Sequence, residues 1–136
     1  MSSRREIIQS VRARAKGRCE YCQMHEALQG ATFHCEHIIP SSRAGKSDSD
    51  NLAWACPACN LHKSDRLEGL DPESGLAVRL FHPRTDLWTD HFTIAGYSIQ
   101  SKTPVGRATV HQFNLNHATR IRIREAEALF GLFPPS

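Results

Sequence analysis

Two cysteine pairs, Cys19-Glu-Tyr-Cys22 and Cys56-Pro-Ala-Cys59, are the residues most suited to chemistry in this chain. A two-residue spacer lets both sulfurs of a pair face one ion, and two such pairs complete a tetrahedral zinc site. Two disulfides or four plain thiols are the competing reading. Four protein ligands leave no open position, so such a zinc would be structural. Between the pairs lies His34-Cys35-Glu36-His37-Ile38-Ile39-Pro40, then Asp50-Asn51-Leu52, and behind the second pair comes Asn60-Leu61-His62-Lys63. Glu36 offers a carboxylate oxygen and Asn60 a carbonyl oxygen, hard donors that suit Mg²⁺ or Mn²⁺ better than zinc. His37 is a candidate general base, because an unperturbed imidazole titrates near neutral pH.

Taken together, Glu36-His37-Ile38-Ile39-Pro40, Asn51-Leu52 and Cys56-x-x-Cys59-Asn60-x-x-Lys63 resemble the HNH endonucleases, the ββα-metal nucleases, in their zinc-knuckle branch. The resemblance implies a treble-clef-like ββα core. It implies that His37 activates water, that Glu36 and Asn60 hold the divalent ion, and that Asn51 ties the intervening loop to the histidine strand. It further implies DNA cleavage to a 5′-phosphate and a 3′-hydroxyl with low sequence specificity. Two positions depart from the commoner pattern: Glu36 stands where Asp is more usual, and Asn60 where the motif's last letter is His.

These residues need elements to position them. The 136 residues suggest one α+β domain, with a metal core over about 17–66 and an extension of hairpins and helices over 67–136 packed on it. Ser3, Glu6 and the spacing of Ile7, Ile8, Val11 and Ala15 predict a helix over 3–16. Residues 31–39 read as a strand, 52–55 as a second strand and 57–66 as a helix with Pro57 in its first turn. Strict alternation sets Glu36 and His37 on opposite faces, so a bend or bulge near Pro40 is expected to re-aim one of them. Further on, hairpins are expected over 69–82 and 88–99 and a helix over 104–113. The last helix, 117–130, is expected to be capped by Asn116, with an apolar stripe of Ile121, Leu129 and Phe130.

Charge points to a polyanion. The formal net charge is +3, and Arg4, Arg5, Arg12, Arg14, Lys16 and Arg18 crowd the first eighteen residues. Arg12, Arg14, Arg43, Lys46 and Lys63 are the candidate nucleic-acid contacts, and Arg107, Arg120, Arg122 and Arg124 form a second basic group. DNA is the expected partner, with RNA and the choice between monomer and homodimer left open. No apolar run reaches the roughly 18 residues of a membrane span, and no signal-peptide core is visible, so a cytoplasmic protein with reduced thiols is expected. Cys35 reads as a small strand residue, with a ligand or redox role as the alternative. The rival function is a non-catalytic zinc-knuckle module that binds nucleic acid. It would use the cysteines and arginines but not Glu36, His37 or Asn60. A toxin, or a subunit that cuts only when recruited, is a third reading.

Overall fold

In the computed structural model, which describes residues 3–136, the chain opens on α1 (Arg4–Arg14). Ser3 caps it by accepting the Glu6 N–H at 3.1 Å. Lys16 and Gly17 then take positive φ and turn the chain into the first cysteine pair. β1 (His34–His37) and β2 (Leu52–Ala55) follow, antiparallel, with His34 opposite Ala55 and His37 opposite Leu52. α2 (Pro57–Lys63) completes a β–β–α unit. Pro57 at its start lacks the N–H that a first turn leaves unpaired, and Cys56 Sγ caps the helix by accepting the Cys59 N–H at 3.4 Å.

The elements are shorter than periodicity predicts. β1 covers four residues of the expected nine, and α2 stops at Lys63 because Ser64 adopts φ 51°. The expected irregularity takes the form of a bend at Ile38 and Ile39, directly before Pro40, and not of a bulge, since β1 and β2 pair one to one through His37.

The extension runs β3 (Glu68–Leu70), β4 (Ala77–Arg79), a helical turn α3 (Trp88–His91), β5 (Phe92–Ala95), β6 (Ser98–Ser101), α4 (Pro104–Phe113) and α5 (Ala118–Leu129). The second hairpin therefore spans 92–101, and Trp88 opens a helical turn instead of a strand. Thr103 caps α4 as expected, accepting the Gly106 N–H at 3.0 Å. α5 is capped by His117. Asn116 instead clamps β6, exchanging 2.8 Å hydrogen bonds with both the N–H and the carbonyl of Ile99.

The expected apolar stripe on α5 is overturned. Leu129 and Phe130 are 85% and 69% exposed, while Arg120, Arg124 and Glu127 are the buried residues of that helix. A buried face made of charged groups has no hydrophobic periodicity to betray it.

The core joins the two halves. Tyr21, between the first two cysteines, packs its ring 4.8 Å from Phe113 and 6.4 Å from Phe81, and Trp88 Nε1–H donates to the Tyr21 carbonyl at 3.0 Å. The aromatics of the second hairpin belong mainly to this core, with Phe92 fully buried against Phe81 and Trp88. Among the described residues, no helix is long and apolar enough to cross a membrane.

Candidate active site and thiol centre

The two cysteine pairs converge. All four sulfurs lie within 4.8 Å of one another, fully buried, with Cys22 and Cys56 Sγ 3.7 Å apart. A tetrahedron with metal–sulfur bonds of about 2.3 Å has edges of about 3.8 Å, so this spacing suits zinc, while no disulfide links the thiols. The backbone builds the cluster: the Gln23 N–H donates to the Cys19 carbonyl at 2.9 Å, and Gln23 takes φ 66° to close the knuckle. Glu20 docks the knuckle on β2, its N–H donating to the Trp54 carbonyl and its carboxylate accepting the Trp54 N–H at 2.8 Å. Burial pushes the Cys19 and Cys59 thiols well above their ordinary range, whereas the neighbouring thiols and Arg120 hold Cys22 below it despite burial. Four thiolates cannot share this dry space without a cation, and zinc is the ion that the donor set fits.

The second constellation is open. A cavity of about 290 Å³ is lined by Glu36, His37 and Asn60, together with His34, Ser41 and Ser64. β1 brings Glu36 and His37, and α2 brings Asn60 and Ser64. The hard oxygens of Glu36, Asn60 and the two serines suit a magnesium-type ion. Glu36 faces inward, 6% exposed. The Tyr21 hydroxyl donates to its Oε2 at 2.8 Å, and the Lys63 ammonium forms an ion pair with its Oε1 at 2.6 Å. Burial raises the Glu36 pKa, and Lys63 and Tyr21 pull against that rise. Lys63 Nζ also donates to the carbonyls of His37 and Ile38, at 3.1 and 2.8 Å. Expected at the surface for phosphate, this lysine is 2% exposed and holds the end of β1 in place.

His37 turns to the other face of β1, as alternation requires. Its Nε2 lies 2.9 Å from Ser47 Oγ, and its ring also borders a second cavity of about 400 Å³, between α1 and the sheet. Cys35, half-buried, lines both cavities. Asn51 is buried and makes three bonds: it accepts from the Ile39 N–H at 2.8 Å and donates to the carbonyls of Ile39 and Lys46 at 2.9 and 2.8 Å. It thus pins both ends of the 40–50 loop beside the histidine. Gly45 sits so close to that junction that a Cβ would lie 1.8 Å from the Ile39 carbonyl oxygen. The loop is built, not slack.

The basic candidates separate by environment. Arg43 and Lys46 are exposed on the loop. Arg12, 58% exposed, pairs with Glu26 at 2.6 Å. Arg14 donates to the carbonyls of Ser49 and Leu52, clamping α1 to β2. The second basic group disperses: Arg107 pairs with buried Asp71 at 2.9 Å, Arg120 and Arg124 are buried, and Arg122 alone stays exposed. Charge counting alone missed this. Tyr21, Ser47, Ser41 and Ser64 were also invisible as site residues, because single hydroxyls carry no spacing.

A sheet of two strands, a helix across it, a closed thiol centre that fits zinc and an open histidine cavity define a ββα domain. Residues 19–66 match the family model described as HNH endonuclease, and this stretch is an HNH domain. No curated protein and no solved structure matches the chain. HNH domains are generally nuclease domains.

Proposed function

We propose that the protein is a divalent-metal-dependent DNA endonuclease. The observation that carries this reading is the single cavity lined by Glu36, His37 and Asn60, inside the HNH domain. Glu36 and Asn60 would hold Mg²⁺ or Mn²⁺. Such an ion, when bound, neutralises charge building on the phosphoryl oxygens and the departing 3′-oxygen. His37 takes the proton from the attacking water, and Ser47, hydrogen-bonded to Nε2, sets the plane of the ring. Asn51 and Gly45 hold the loop so that the imidazole and the exposed Arg43 and Lys46 stay on one side of the entering phosphate. Lys63 must share Glu36 with the ion or move away from Oε1. Exposed arginines along α1 add salt-dependent phosphate affinity. The whole chain acts as one unit, in the cytoplasm.

Plasmid nicking in Mg²⁺ or Mn²⁺, wild type against His37→Ala, tests the proposal. Cleavage by the wild type and its loss in the variant support it. Equal DNA binding by both forms, with no cleavage under any divalent ion, would establish the non-catalytic module instead.

A further inference from the structure

The buried charges of α5 have no partner in the nuclease reading. Arg120 is 4% exposed and Arg124, one helical turn on, is fully buried. Neither forms an ion pair with a carboxylate among the described residues. Arg120 Nη2 instead points at sulfur, 2.7 Å from Cys59 Sγ and 3.7 Å from Cys56 Sγ, while Nη1 donates to the Phe113 carbonyl at 2.6 Å. Arg124 is fixed by the carbonyls of Tyr97 and Leu115, at 3.0 and 2.7 Å. The Nε atoms of both arginines lack a hydrogen-bond partner. A buried guanidinium without a counter-ion is costly, so the sulfurs it touches are the anions that justify Arg120.

We infer that Arg120 belongs to the outer shell of the thiol centre, a fixed positive charge set against four thiolates around one divalent ion. Four thiolates and a divalent ion sum to a double negative charge, and the Arg120 guanidinium offsets half of it. Arg120 also orients Cys59 and Cys56 by donating to their sulfurs, as outer-shell donors do at metal sites. The centre therefore extends beyond the 19–66 segment, and α5, some sixty residues downstream, is part of it. This inference rests on the cysteine cluster holding a metal and is independent of phosphodiester chemistry.

The test is zinc affinity by chelator competition on the full chain, with cobalt(II) substitution to read the sulfur-to-metal charge-transfer band. Arg120→Met is expected to weaken zinc binding by about 10- to 100-fold and to shift that band. The exposed Arg122→Met should match wild type. Arg120→Lys keeps charge and bulk but loses the planar fork. It should fall between Arg120→Met and wild type and carries the test if the methionine variant fails to fold. Wild-type affinity and an unshifted band in Arg120→Met, or in Arg120→Lys where the methionine variant does not fold, would overturn the inference. A folded wild type that binds neither metal would overturn the metal centre itself, a distinct failure visible before any variant is made.

Discussion

Two buried cations meet two ligand sets in this molecule, and they do so differently. Arg120 approaches the cysteine cluster from outside, donating to sulfurs whose other faces point at the centre. Lys63 sits directly on the carboxylate oxygen of Glu36. The arginine reinforces its ligands, whereas the lysine competes for one. The sulfur site is sealed, saturated and backed by fixed charge, as suits a permanent structural ion. The oxygen site is open on one side and its carboxylate is held by an ammonium, so in the proposed reaction a divalent ion would have to displace Lys63 or share Glu36 with it. The lesson is that a basic side chain beside a ligand set is read by where its nitrogen points, not by its charge.

The comparison breaks most visibly at sulfur. Cys59→Ala removes one ligand and leaves Arg120 only the more distant Cys56 sulfur, and the cooperative thermal transition of the domain should largely disappear, since structural zinc supplies much of the folding energy of small zinc domains. Circular dichroism melting of the variant against wild type reads this directly. At the oxygen site the largest effect falls on chemistry and not on folding. His37→Ala should cut plasmid cleavage by about 10²–10⁴-fold with an unchanged melting curve.

Lys63→Met sharpens the contrast. It strands the Glu36 carboxylate inside the fold, which costs about 3–5 kcal/mol in the absence of divalent ions. Added Mg²⁺ or Mn²⁺ should restore part of that loss, and melting with and without the ion measures it. A variant whose stability ignores the ion would show that Lys63 and the metal do not share Glu36.

The smallest effect lies far from both sites. Arg107 beside Asp71 holds its carboxyl well below the ordinary 3.8. A depressed folded pKa contributes stability that is present above the unfolded value and is lost as pH falls below about 4 toward the folded one. Asp71→Asn should therefore lower stability at neutral pH slightly and flatten its decline below pH 4, as acid titration of the melting temperature would show.

Spacing made the sulfur centre legible. Cys-x-x-Cys twice fixes four donors, and the structure closes them on one point. The ββα order was equally legible, because Pro57, Ser3 and Thr103 are local caps and breakers that act within a few residues. The Glu36–Lys63 contact was not legible, since a lysine three residues behind Asn60 reads as a solvated helix position until the end of β1 folds over it, with Glu36 and the carbonyls of His37 and Ile38 around its nitrogen. Nor was the inner face of α5. Its buried residues are Arg120, Arg124 and Glu127, and only the folded neighbours Cys59, Tyr97, Leu115 and His25 explain why charge lies inside. The irregularity expected near Pro40 came as a bend and not a bulge: β1 is short and ends at His37, and Glu36 and His37, on opposite faces, both line one cavity.

The division of labour between the two sites is tested most directly by counting metal and cleavage on one sample. The full chain, treated with a chelator too weak to strip a tetrathiolate centre, should retain one zinc by elemental analysis and lose all plasmid cleavage, and Mg²⁺ or Mn²⁺ alone should then restore cutting. Cleavage that persists after this treatment, or a zinc-loaded chain that stays inert with either added ion, would contradict it.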